Sequence, residues 1–125
     1  MELYDPDTAP DPDAWLALAE RERLELVESA HEEEFEDLPN PTLHFAMHVA
    51  IETQVAMGEQ LPVAAQLDRL ISEGLTRHDA VHAVASVLAE HLFKIMKNKL
   101  QSSRDPNEAY YSALLRLSAR KWLDS

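Results

Sequence analysis

The 125-residue sequence has no cysteine and only two glycines. Without cysteine there is no disulfide and no thiolate ligand, so histidine, aspartate and glutamate are the side chains left to hold a metal ion. Two glycines are too few for a sheet built on glycine turns and favour helices with short connections. No apolar run reaches the roughly 18 residues that a membrane span needs. The start of the chain is acidic and proline-rich, unlike a signal peptide, so we expect a cytoplasmic protein with no membrane contact.

Basic residues are scarce in the first third of the chain. Residues 1–37 contain 14 of the 23 acidic residues and 2 of the 11 basic ones, and so account for the whole net charge of −12. Such a surface repels nucleic-acid phosphates, which we exclude as partners. The acidic segment is interpreted as a solvated helix face, with intramolecular pairing with the basic C-terminal part of the chain as the alternative. A basic protein partner of the acidic segment belongs to the interaction-module hypothesis below, and a homodimer is a separate expectation.

Prolines and glycines divide the chain into an arm and five predicted helices. Residues 1–12 are expected to form an extended, acidic, proline-rich arm, and residues 13–125 a single domain. The class is all-α, an up-down bundle of four to five helices. Helix caps and breakers predict helices from near Asp11 to about Glu34, from Pro41 (capped by Asn40) to near Gly58, from about Pro62 to Glu73, from Thr76 to about Lys99, and from Asp105 to about Leu123.

Histidines recur at four-residue spacing on two of these helices. His44, His48 and Glu52 fall on one stripe of the second helix, because four residues advance a helix by one turn and about 40°. His78 and His82 make the same stripe on the fourth helix, with Ser86 following. Large apolar residues border both stripes, so we expect these polar groups to be buried and partnered.

Bundle topology predicts that the two stripes meet. The second and fourth helices of an up-down bundle run parallel across a diagonal, and both histidine pairs lie in the first two turns of their helices. The first helix ends at the same level, which brings Glu28 and His31 to this cluster, and Glu90 lies near the edge of the second stripe. His91 points away and is expected at the surface.

Histidine pairs one turn apart are suited to binding a metal ion with both rings. We therefore predict a divalent metal site, with iron or a di-iron pair first and zinc or manganese next. The candidate ligands are His44, His48, Glu52, His78, His82, His31, Glu28 and Glu90. The alternatives are a metal-free His/Glu network that shares protons, a non-catalytic interaction module, and a hydrolase using Glu52 with a histidine. The sequence has no nucleophile motif, which ranks the hydrolase last.

The run from Asn40 to Gln54 resembles a bacterial family called domain of unknown function 1841. That family has Asn-Pro-x-Leu-His-x-x-x-His followed by Glu-x-Gln, and a second His-x-x-x-His followed here by Leu88-Ala89-Glu90. The resemblance covers roughly residues 40–115, including a final helix similar to Asp105–Tyr111. It implies shared roles for His44, His48, Glu52, Gln54, His78, His82 and Glu90, and an acidic residue often stands where this chain has Ser86. The family carries no assigned activity. Hemerythrin-type bundles are similar only in surrounding iron with histidines and carboxylates.

Overall fold

The computed structural model describes residues 3–31, 40–97 and 107–124, and all regular secondary structure in these ranges is helical. The helices are α1 (Pro12–Ala17), α2 (Glu20–Ala30), α3 (Pro41–Ala56), α4 (Val63–Ser72), α5 (Arg77–Met96), α6 (Asn107–Arg116) and α7 (Ala119–Leu123), with a 3₁₀ turn at Gly58–Gln60. The predicted all-α class is confirmed, but the described residues form seven α-helices where four to five were expected. The predicted limits at Glu34, Lys99 and Asp105 lie outside the described residues.

The predicted first helix is divided into α1 and α2. Leu18 and Ala19 adopt extended backbone angles between them. The side chain of Arg23 donates hydrogen bonds to the carbonyls of Trp15 and Leu16, both at 3.0 Å, and so satisfies the end of α1. Because these carbonyls have a side-chain partner, α1 ends without continuing into the next turn.

The predicted last helix is also two helices. Ser118 caps α7 by accepting a hydrogen bond from the Lys121 amide at 3.1 Å. Arg69 of α4 donates to the carbonyls of Leu114 and Leu117 at 3.0 and 2.7 Å, just before this break. A guanidinium from another helix therefore replaces the helical hydrogen bonds that are lost where α6 ends.

Helix α3 lies between two apolar cores. On one side Phe45 and Val49 pack with Tyr4, Trp15 and Val27 from the N-terminal segments. The opposite face of α3 contributes to a larger core with α4, α5, α6 and α7. The polar residues His48 and Glu52 of α3 are also buried, so they are enclosed between helices.

Helices α3 and α5 pack directly against each other and run in opposite directions. Glu52, in the fourth turn of α3, pairs with Arg77 at the start of α5, whereas His44 near the start of α3 lies against His82, further along α5. The expected parallel, diagonal arrangement is therefore wrong. Helix α4 has only ten residues and packs against both neighbours, so α3 and α5 can meet beside it.

The predicted caps of both helices are present. The Asn40 side chain accepts from the Leu43 amide at 3.2 Å, and Thr76 accepts from Asp79 at 3.1 Å.

Since the N-terminal halves of α3 and α5 overlap, the first two turns of both helices still face each other. Within the described residues, no helix is both long and apolar enough to cross a membrane.

Candidate metal centre

Five imidazole rings converge between α2, α3 and α5. The centroids of eight ring pairs lie 4.2–5.5 Å apart among His31, His44, His48, His78 and His82. Four of these five histidines each offer one ring nitrogen, and the four nitrogens all lie within 4.8 Å of one another. These histidines are His31, His48, His78 and His82. The predicted convergence of the two histidine stripes with His31 is therefore present.

His31 is the residue that ends α2, and its ring is fully buried. Its Nδ1 lies 2.8 Å from the carbonyl of Val27, one turn earlier on the helix. A carbonyl can only accept, so Nδ1 carries the proton and Nε2 carries a lone pair. This buried Nε2 has no hydrogen-bond partner among the described residues. A buried nitrogen without a partner is costly unless something outside the protein satisfies it.

His48 links the cluster to the N-terminal arm. Its Nδ1 lies 3.3 Å from the hydroxyl of Tyr4, and that hydroxyl donates to Glu52. Because the Tyr4 proton is used on Glu52, the phenolic oxygen accepts from Nδ1–H of His48, and Nε2 of His48 again carries a lone pair. This Nε2 lies 2.9 Å from Nε2 of His82. Two lone pairs at this distance would repel, so either a proton or a cation must lie between them.

Glu52 is buried, but its partners are not histidines. Arg77 donates to both of its oxygens at 2.7 Å in a bidentate ion pair, and Tyr4 donates to one of them. Side-chain exposure is 0% for Glu52 and 9% for Arg77. Arg77 also donates to the Pro6 carbonyl at 2.9 Å, which holds the arm on the helices. The carboxylate therefore belongs to a neutral pair beside the cluster and orients His48 through Tyr4.

Burial keeps the central rings uncharged. Desolvation, followed by the neighbouring imidazoles, lowers the pKa of His48 to about 2. The same causes lower the pKa of His82 to about 4. Desolvation and then the Glu52 charge raise the pKa of Tyr4, so it stays a hydrogen-bond donor. Neutral imidazole is the form that binds metals, so at neutral pH these rings are in the ligand state.

Of the other predicted site residues, His44 lies beside the four-histidine group without belonging to it, and the remaining ones lie elsewhere. His44 is half-buried, with its ring 4.9 Å from that of His48. Glu28 is exposed on α2. Glu90 is exposed, lies 3.3 Å from Lys94 and lines a cleft near α6 and α7. Gln54 accepts a hydrogen bond from Tyr110 at 2.7 Å.

The expectation that His91 lies at the surface is wrong. His91 is 6% exposed and stacks on Tyr110 at 5.6 Å. Helix α6 covers this face of α5, and a helical-wheel argument restricted to α5 could not include that helix.

Two residues next to the cluster were missed by the sequence analysis, Tyr4 and Arg77. A buried carboxylate on an apolar stripe requires a cation, and Arg77 is the only basic residue between Leu70 and Phe93. That requirement could have identified Arg77. Tyr4 had no comparable signal, because it lies in a segment interpreted as an extended arm and contacts residues more than forty positions away.

Chemically, the arrangement provides several neutral nitrogen donors and no carboxylate within the four-residue group. Imidazole donors suit zinc, copper, iron and nickel, whereas hard oxygen ligands suit magnesium, calcium and manganese. The hydrogen bonds from His31 to a carbonyl and from His48 to Tyr4 are of the kind that orient metal-binding histidines. The cluster is therefore able to hold a metal ion.

Comparison with known proteins identifies a family but no activity. No curated protein and no solved structure matches the chain. A family model described as a domain of unknown function, DUF1841, matches residues 13–116. The match begins earlier than the expected residue 40, so it includes nearly all of α1, the whole of α2, and His31. This chain belongs to the DUF1841 family.

Proposed function

We propose that this protein binds a single divalent transition-metal ion through His31, His48, His78 and His82. The observation that carries the proposal is the approach of one nitrogen from each of these rings to within 4.8 Å of all the others. The rings come from three different helices, so local helix geometry alone does not account for their meeting. A bound ion would join α2, α3 and α5 at a point where the protein otherwise encloses several polar atoms.

The protonation states of the histidine nitrogens support a metal in this position. The hydrogen bond to Val27 leaves a lone pair on Nε2 of His31, and the Tyr4 contact leaves one on Nε2 of His48. Burial lowers the pKa of both His48 and His82, so little proton release is required before binding. The site is thus prepared for a cation by its own hydrogen bonds.

The donor set narrows the choice of ion. Zinc and ferrous iron both accept imidazole ligands, whereas manganese prefers oxygen, so we expect zinc or iron. A di-iron pair in a helical bundle uses several carboxylates. Here Glu52 is held by Arg77, and Glu28 and Glu90 are exposed. We therefore propose one ion, with an oxygen- or peroxide-related role if it is iron and a structural or sensing role if it is zinc in a saturated site.

A metal-free histidine network is the second candidate. The 2.9 Å separation of the His48 and His82 Nε2 atoms also fits a hydrogen bond in which His82 is the donor. In that case the cluster would share protons and organise the core. The two candidates differ in metal content.

The test is elemental analysis of the full chain expressed without a histidine tag. Wild type should contain close to one equivalent of zinc or iron. The double variant His48→Gln/His82→Gln should lose it, because two of the four ligands are removed. His91→Gln is the matched control, since His91 is also a buried histidine of α5 but stacks on Tyr110 away from the cluster.

Two results would contradict the proposal. Wild-type protein that stays metal-free after dialysis against zinc or ferrous iron would favour the proton-sharing network. Full metal retention by the double variant would show that the ion binds elsewhere. Circular dichroism of each variant should accompany the metal analysis, so that unfolding is not mistaken for loss of a ligand.

A further inference from the structure

A cleft of about 320 Å³ opens between the N-terminal half of α3 and the middle of α5 and reaches three rings of the histidine cluster. His44, His48 and His82 line it, so two of the four proposed metal ligands border this space. The volume is at the lower end of the range for small-molecule sites, about 300–1,000 Å³. The cleft is therefore large enough for a small ligand that touches the metal.

The rest of the cleft is apolar. Leu43, Met47, Ala85 and Ala89 provide most of the remaining described lining, and none of the lining residues that the structure describes is Asp, Glu, Lys or Arg. Small residues on α5 leave the space open opposite the larger side chains of α3. An occupant would thus find hydrophobic contact along most of its length.

The two other polar residues of the cleft already have partners. The Asn40 side-chain oxygen accepts from the Leu43 amide, and the Ser86 hydroxyl donates to the Ala83 carbonyl at 2.7 Å. Neither group is positioned primarily for a ligand. The polar end of an occupant is consequently directed to the histidine end of the cleft.

The charge of the proposed metal site indicates the charge of the occupant's polar end. Four neutral imidazoles leave the two positive charges of a divalent ion uncompensated, and Glu52 is neutralised by Arg77. An anion bound to the metal would offset this charge in a region of low dielectric. Zinc in sites that bind a ligand from outside the protein sometimes expands its coordination from four to five.

We propose that the cleft binds a small monoanion that ligates the metal through its charged head and lies with an apolar body along α5. Simple alkyl carboxylates and hydroxamates have this chemistry. The inference rests on the proposed metal site and adds a ligand class to it. It predicts that affinity depends on the apolar body as well as on the head.

The experiment uses full-length protein loaded with Co²⁺, whose visible absorption reports a change in ligands. Acetohydroxamate, butyrohydroxamate and hexanohydroxamate share one head and differ only in chain length. Each should shift the cobalt spectrum, and the affinity should rise about fourfold for each methylene that enters the cleft. The rise should stop once the chain extends beyond the cleft.

Ala89→Leu tests the position of the apolar body. This variant fills the part of the cleft away from the histidines and should weaken hexanohydroxamate at least tenfold while leaving acetohydroxamate unchanged. Ala46→Leu is the control, because Ala46 is exposed on α3 and does not line the cleft. If Ala89→Leu fails to fold, the chain-length series on wild type still tests whether the affinity depends on the apolar body.

The outcomes separate this inference from the metal site itself. If the protein binds Co²⁺ and the Co²⁺-loaded protein binds all three hydroxamates with equal affinity, the cleft proposal is overturned and the metal proposal stays intact. Length dependence that persists unchanged in a folded Ala89→Leu variant would also overturn it. Failure to bind Co²⁺, zinc or iron would overturn both.

Discussion

Glu52 lies on the same helical stripe as His44 and His48, yet Arg77 holds both of its oxygens. The shared stripe made Glu52 a candidate ligand in the sequence. Burial in the structure is accompanied by a complete set of donors, which a metal would have to displace. Glu52 therefore orients His48 through Tyr4.

A double-mutant cycle tests this role. Glu52→Gln should destabilise the protein by about 3–5 kcal/mol, because Arg77 is left buried without its counter-charge. The double variant Glu52→Gln/Arg77→Met should lose less than the sum of the two single changes, by roughly 0.5–3 kcal/mol. Chemical denaturation of the metal-free proteins gives these values.

Metal binding by the same variant separates positioning from ligation. If Glu52 only orients His48, Glu52→Gln should weaken Co²⁺ binding about 10–100-fold with an unchanged cobalt spectrum. A changed spectrum would place Glu52 among the ligands. Additive effects in the double-mutant cycle would argue that the two side chains do not act as a pair.

At the scale of helices, sequence patterns predicted caps better than breaks. Asn40 and Thr76 were found because an N-cap is a local signal. The breaks at Leu18 and Leu117 depend on Arg23 and Arg69 reaching carbonyls from elsewhere. Four-residue spacing likewise placed the histidines on one stripe of each helix. Their convergence was predicted from a parallel arrangement of the two helices, whereas α3 and α5 are antiparallel, a packing that leaves no local signal in the sequence.

The Arg69–Glu73 pair gives the C-terminal helices a pH-dependent attachment. Glu73 accepts from the Ala119 amide at 2.9 Å and from Arg69, and these hydrogen bonds lower the pKa of its carboxyl. A carboxyl whose pKa is lower in the folded state stabilises the fold above the unfolded pKa and loses this effect as the pH falls through the folded value. Wild type should therefore be more stable than Glu73→Gln near pH 7.

The difference should shrink as the pH falls below about 4.5, the ordinary glutamate value. Thermal unfolding of both proteins between about pH 7 and pH 3 measures it. Glu59→Gln is a suitable control, because Glu59 is exposed in the 3₁₀ turn. A constant difference across this pH range would contradict the assignment of the attachment to the Glu73 carboxylate.

On the scale of the whole molecule, the proposed ion joins the smaller apolar core, which includes the N-terminal segments, to the larger apolar core. His31 comes from α2, which packs with the smaller apolar core, while His78 and His82 come from α5 in the larger one. These two cores are otherwise linked by α3, by Tyr4, and by the hydrogen bonds from the start of α5 to Pro6 and Asp7. Metal removal should thus loosen contacts well beyond the cluster.

Chelation should lower the melting temperature of the entire chain. A ligand at a hundredfold excess over its Kd contributes about 2.7 kcal/mol to the folded state. For a domain of this length, that corresponds to a shift on the order of 10 °C. Calorimetry before and after metal removal measures it, with the His48→Gln/His82→Gln variant as a control that should not respond. An unchanged melting temperature after verified removal of the metal would mean that the ion does not join the two apolar cores.

The coordination of the ion itself tests the central claim most directly. X-ray absorption of the zinc-loaded, untagged protein should give a first shell dominated by nitrogen at about 2.0–2.1 Å, with the outer-shell scattering of several imidazole rings. His48→Gln should reduce the imidazole contribution by one ring, and His91→Gln should leave it unchanged. A first shell of oxygen ligands without imidazole scattering would contradict a metal centre built from His31, His48, His78 and His82.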